Sequence, residues 1–178
     1  MIKLIQILIF SSFFYYKPLY SELFNSFVKL EEPIDVSEII FYHKNKKISF
    51  INIQKDIIIL NLWATWCQPC LKEMPSLDKL AVELNENTFY IIPLSQDNGG
   101  VAVIKEYYKK LDIKNLDIFV DANQAFSNTI FLRGIPSTFI IKNNKIIAKL
   151  EGEVNWENKN IIEELESFQW NKYQLKVV

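Results

Sequence analysis

The sequence predicts an α/β fold: one mixed central β-sheet flanked by helices, with a β-hairpin extension on its N-terminal side. Three observations carry this. Apolar runs of strand type alternate with stretches of helical periodicity. The alternation ends at Asn143-Asn144, a two-residue hairpin signal, so antiparallel pairing joins strands otherwise connected through helices. With 178 residues, 49% of them apolar, the chain can bury one sizeable core plus an N-terminal appendage.

The elements follow in order. Residues 39–53 (IIFYHKNKKISFINI) read as two strands around a turn at 44–47, the hairpin extension. Residues 57–63 (IIILNLW) form a continuous apolar run, suited to a strand covered on both faces. After Cys67, residues Leu77, Leu80, Ala81 and Leu84 share one helical face, with Pro75 expected to kink that helix. Residues 89–95 are a second apolar strand. Val101, Ile104, Tyr108 and Leu111 mark an amphipathic helix. A short strand at 117–121 precedes a helix at 123–132. Strands at 138–141 and 145–150 make the closing hairpin, and a helix at 156–168 turns Ile161, Leu165 and Phe168 inward.

The N-terminus reads differently. Lys3 supplies a positive n-region, and only Gln6, Ser11 and Ser12 interrupt the apolar run over residues 4–16. That run is too short for a membrane span of about 20 residues and suits a signal-peptide core of about 7–15. Residues 1–20 are therefore read as a signal peptide or N-terminal membrane anchor. Residues 21–38 are read as a linker, 39–170 as the folded domain and 171–178 as a tail. Export places the chain outside the cytoplasm, in an oxidising setting.

Charge and cysteine count narrow the chemistry. Lys and Arg number 20, Asp and Glu 21, for a net charge of −1, which gives no general pull toward nucleic acid. The two cysteines, Cys67 and Cys70, sit three positions apart, and His43 is the sole histidine. That set is poor for a disulfide staple and poor for a four-ligand zinc site, so neither a metal nor another cofactor is expected. His43 falls in the hairpin and reads as a surface residue.

The segment Trp63-Ala-Thr-Trp-Cys-Gln-Pro-Cys70 joins a buried strand to a helix. A redox cysteine needs access and a stabilised thiolate, and the first turn of a helix offers unpaired N–H groups and a positive dipole end. The spacing lets the second thiol resolve a mixed disulfide within the molecule. Cys67 is thus the expected nucleophile and Cys70 the deeper, resolving thiol. Glu73 lies three residues after Cys70 on the same helix face, where a buried carboxylate could take the Cys70 proton; a solvated first-turn acid is the simpler alternative. Trp66 is expected at the rim, shaping access, and Trp63 in the core.

WATWCQPC resembles the active-site motif of the thioredoxin superfamily, and Arg133-Gly-Ile-Pro-Ser-Thr138 resembles its second motif. WCQPCLKEMPSL together with Asp97-Asn-Gly-Gly100 resembles the TlpA/ResA branch of exported, membrane-anchored thiol–disulfide oxidoreductases. The similarity covers about residues 39–168. It implies a thioredoxin-like fold and a cis bond before Pro136. It also implies that the backbone of Ile135 pairs with an extended substrate beside the cysteines. Two positions depart from family patterns. Asn61, six residues before Cys67, replaces a buried acid found in many thioredoxins, and Gln68 replaces an acid found in some branch members.

The expected function is reduction of protein disulfides on the outer face of the bacterial inner membrane, in the periplasm. The resemblance implies apocytochrome c or copper-site proteins as substrates, a membrane thiol donor as electron source, and a monomer. Alternatives are a disulfide oxidase or isomerase on the same fold, a Cu(I) metallochaperone using both thiolates, and a peroxidase-type enzyme.

Overall fold

The computed structural model of the protein describes residues 26–170. The reading of residues 1–20 as signal or anchor and of 171–178 as tail lies outside the described residues, and no described helix is long and apolar enough to cross a membrane. Eight strands form one mixed sheet: β1 (Val28–Asp35), β2 (Ile40–His43), β3 (Lys46–Ser49), β4 (Ile57–Trp63), β5 (Phe89–Ser95), β6 (Phe119–Val120), β7 (Ser137–Lys142) and β8 (Lys145–Glu151). Their spatial order is β1-β8-β7-β4-β5-β6-β2-β3. Among the described residues four α-helices accompany them: α1 (Gln68–Glu83), α2 (Gly100–Lys110), α3 (Ala125–Thr129) and α4 (Lys159–Trp170).

β4 is the sheet's centre. It pairs parallel with β5 and antiparallel with β7, and all seven of its residues are buried. Side chains alternate faces along a strand, so Ile57, Ile59 and Trp63 join the core that holds Met74, Leu77, Ile104 and Leu165 from α1, α2 and α4. Ile58, Leu60 and Leu62 point the other way, into a second core with Phe41, Phe50, Phe126 and Phe139. The same alternation sends Asn61 to the α1 side, which is the one polar intrusion in that strand.

The two closing hairpins turn on Lys44-Asn45 and Asn143-Asn144, all four at positive φ (49°, 62°, 52° and 61°). Two-residue turns of that hand match the twist of the strands they join. The first strand pair is shorter than the sequence suggests: β3 stops at Ser49 and a 3-10 turn, Phe50–Asn52, follows, burying Phe50. α1 continues through Pro75 as one helix. The helix expected over 123–132 is a 3-10 turn at Ala122–Gln124 followed by the short α3.

Two readings are corrected. Residues 28–35, taken as linker, are the edge strand β1, antiparallel to β8 with a register shift between Lys29 and Ile34. Glu31, Glu32 and Pro33 hid it, yet charge and proline are what a strand paired on one side carries. His43 is only partly exposed: it stacks on Phe119 at 4.4 Å and meets Asp117 Oδ2 at 3.2 Å.

Candidate active site

β4 delivers the chain to the α1 N-terminus, and the three-residue connection Ala64-Thr65-Trp66 leads into Cys67. Cys67 is the N-cap of α1, in extended conformation, and its Sγ accepts the Cys70 N–H at 3.3 Å. Pro69 occupies the first turn, where a missing N–H leaves no intrahelical bond unmade. Cys67 and Cys70 are joined as a disulfide. Cys67 is 6% exposed and Cys70 fully buried, so the order of access matches the sequence reading, although Cys67 in this oxidised form is less open than expected.

The second motif closes on the first. The Ile135–Pro136 bond is cis, and the Ile135 carbonyl oxygen lies 3.7 Å from Cys67 Sγ. In the disulfide the sulfur has no proton to donate, so this is a contact; a Cys67 thiol would find an acceptor there. Trp66 is 66% exposed beside this contact. With Gln96, Ser127, Arg133, Gly134 and Ile135 it lines a cleft of about 390 Å³. Trp66, Ile135 and Pro136 thus sit together at Cys67, and Trp63 is in the core with its indole N–H donating to the Pro93 carbonyl at 3.3 Å.

Glu73 is not a solvated acid. It is 2% exposed. Its Oε1 accepts from Asn61 Nδ2 at 2.7 Å and its Oε2 from the Val154 N–H at 2.8 Å. Burial pushes its pKa up to about 7, against the pull of those two donors toward the carboxylate. Asn61 Nδ2 also donates to Thr138 Oγ1 at 3.0 Å, while its Oδ1 is buried without a partner. Asn61, which the sequence offered only as a departure, is therefore the side chain that holds Glu73. The available signal was a lone amide inside an apolar strand.

The raised Glu73 pKa has a consequence for stability. The group binds its proton more tightly folded than unfolded, so its contribution is fully present below pH 4.5 and is lost as pH rises toward 7. The thermal midpoint is expected to fall between pH 5 and pH 8, by an amount that Glu73→Gln largely removes. On the order of 3 kcal/mol is the upper bound from the shift itself. Calorimetry of both proteins across that range checks it; an equally steep fall in Glu73→Gln contradicts it.

Comparison with known proteins agrees with this geometry. The profile of the AhpC/TSA family matches residues 37–150. The thiol–disulfide oxidoreductase ResA of one Bacillus cereus strain is 30% identical over 137 residues, covering 74% of this chain and 78% of its own. ResA of a second Bacillus cereus strain is 33% identical over 111 residues, covering 62% of this chain and 63% of its own. The chain thus spans less than two thirds of the length of that relative. Among solved structures, a thiol:disulfide interchange protein DsbE from Chlorobium tepidum superposes with a TM-score of 0.65 at 14% identity, covering 78% of this chain and 97% of its own, a likeness of fold. The chain belongs to the AhpC/TSA family, in its ResA-type thiol–disulfide oxidoreductase branch, and carries that family's thioredoxin-like fold.

Proposed function

We propose that the protein reduces disulfides in other proteins, outside the cytoplasm, with Cys67 as nucleophile and Cys70 as resolving thiol. The observation that carries this is the Cys67–Cys70 pair at the α1 N-terminus, facing the Ile135 carbonyl at 3.7 Å. The reaction starts from the reduced pair. The Cys67 thiolate attacks one sulfur of a substrate disulfide. That S–S bond breaks, a mixed disulfide forms, and the other substrate sulfur leaves as a thiolate and takes a proton. Cys70 then gives its proton to the Glu73 carboxylate and attacks Cys67 Sγ. The second substrate thiol leaves, and two electrons have passed from the dithiol to the substrate. A group titrating near pH 7 is suited to accept and return that proton.

Substrate enters the cleft beside Trp66, where an extended segment pairs with the backbone of Ile135 next to Pro136. Reduction rather than oxidation is supported by Pro69 before Cys70 and by the lack of a histidine between the cysteines. The apolar run over residues 4–16 supports export or anchoring, with a membrane thiol carrier restoring the dithiol. Apocytochrome c and copper-site proteins are the substrates this reading names. The test is turnover: a catalytic amount of protein should accelerate dithiothreitol-driven reduction of an oxidised peptide over many cycles. A rate equal to that of dithiothreitol alone would overturn the proposal.

A further inference from the structure

Beyond β5 the chain passes through Gln96 and Asp97, both buried. The Asp97 carboxylate accepts three hydrogen bonds. Oδ2 takes the Thr65 N–H at 3.0 Å and the Ser95 hydroxyl at 2.7 Å, and Oδ1 takes the Thr65 hydroxyl at 2.6 Å. The Ser95 hydroxyl in turn accepts the Asp97 N–H at 3.0 Å, and the Gln96 N–H donates to the Trp63 carbonyl at 2.9 Å. The connection from β4 to Cys67 is therefore tied down on Thr65, backbone and side chain together, by one carboxylate from a different loop. The next residues are the exposed Trp66 and then Cys67, whose Sγ accepts only from the Cys70 N–H among these bonds.

A helix end stabilises a thiolate only while the sulfur stays on its open N–H groups, since the dipole effect falls off within the first turn. We propose that Asp97 is a positioning residue for the exchange reaction: by clamping Thr65 it holds Cys67 Sγ on the α1 N-terminus and so sets how readily the thiolate forms. This rests on the thiol–disulfide reading above. Its sign opposes that of a plain charge effect. A negative charge near Cys67 disfavours the thiolate, so removing Asp97 for its charge alone would ease thiolate formation. Removing a clamp hinders it. The other ionisable groups around Cys67 are Cys70 and Glu73 on α1, the Lys72–Glu153 pair beside them, Asp121 in the Gln96 network, and Arg133 on the cleft. None is altered in the variants below.

The test compares the reduced full chain with Asp97→Asn and Thr65→Val, following the pH profile of iodoacetamide reaction at Cys67 by mass spectrometry. Asp97→Asn keeps the size but removes the charge and replaces one of the two acceptor oxygens by an NH2 donor, so the three bonds from Thr65 and Ser95 cannot all be accepted as the carboxylate accepts them. It is expected to lower the rate at pH 7 about tenfold, an upward shift of about one unit in the profile. Thr65→Val removes only the hydroxyl bond and keeps the charge, so a smaller shift in the same direction is expected. A downward shift or none in Asp97→Asn, in protein that still melts cooperatively, overturns the clamp. Should Asp97→Asn fail to fold, Thr65→Val decides alone, and an unshifted profile there is equally fatal. Wild-type protein that performs no exchange would fail the functional reading instead; wild type that exchanges, with unshifted variants, fails the clamp.

Discussion

Cys70→Ser protein, mixed in its reduced form with an oxidised peptide, is expected to complete half a reaction and stop. Cys67 attacks, one peptide thiol leaves, and the other stays attached, because no second thiol sits within reach to displace it. The covalent adduct should persist and appear as a mass increase of one peptide on Cys67. Cys67→Ser is expected to form no adduct and to lose turnover completely, since Cys70 is fully buried and cannot meet a protein substrate. The asymmetry comes from α1 itself. Its N-cap places one sulfur against the carbonyl of Ile135, a residue of the cleft, and the first turn places the other in full burial. Equal adduct formation by both single variants would mean that the cysteines are not ordered as nucleophile and resolver.

Glu73→Gln should leave that first step nearly untouched and slow the second. An amide cannot take the Cys70 proton, and loss of a positioned general base lowers a rate by about 10²–10⁴-fold. In stopped reactions the mixed disulfide should therefore build up in Glu73→Gln while the alkylation rate of Cys67 stays close to wild type. The substitution is mild for packing, because Gln keeps the size and can still accept from Asn61 or Val154, though not from both as well as a carboxylate does. Asn61→Ala separates anchoring from proton transfer. It keeps the acid but removes its 2.7 Å donor and the link to Thr138. It should slow the same step by less than Glu73→Gln does. Unchanged resolution in Glu73→Gln would leave the acid a purely structural role.

Much of this was legible in the chain, and the failures have physical causes. β4 and β5 were readable to the residue because strands covered on both faces are continuous apolar runs, as IIILNLW is. β1 was lost because edge strands break that pattern. The start of α4 was placed three residues early. Trp156 carries the inward pattern of a helix, but the Val154 and Trp156 N–H groups are committed to Glu73 and the Ser76 hydroxyl. The helix begins only after Asn158, whose side chain accepts the Asn160 N–H at 3.0 Å in the manner of a cap.

At the site, the cysteine spacing and the Gly-Ile-Pro motif were plain because each is local. Glu73 was visible as a candidate through its helical spacing from Cys70. What made it buried was not visible. Its partners stand 12 and 81 positions away, and the Asp97 clamp reaches back 32. Contacts of that separation are set by sheet order and strand direction: β4 lies between the parallel β5 and the antiparallel β7, so the loops after β4, β5 and β8 and the loop before β7 come to one end.

The most direct test of the central claim is the reduction potential of the Cys67–Cys70 pair, equilibrated against glutathione or dithiothreitol and read by mass or tryptophan fluorescence. Trp66 adjoins the pair and offers the optical signal. A disulfide reductant requires a value near or below that of thioredoxin, about −270 mV. A value near that of strong oxidants, about −120 mV, would mean that the protein donates disulfides and would contradict the account.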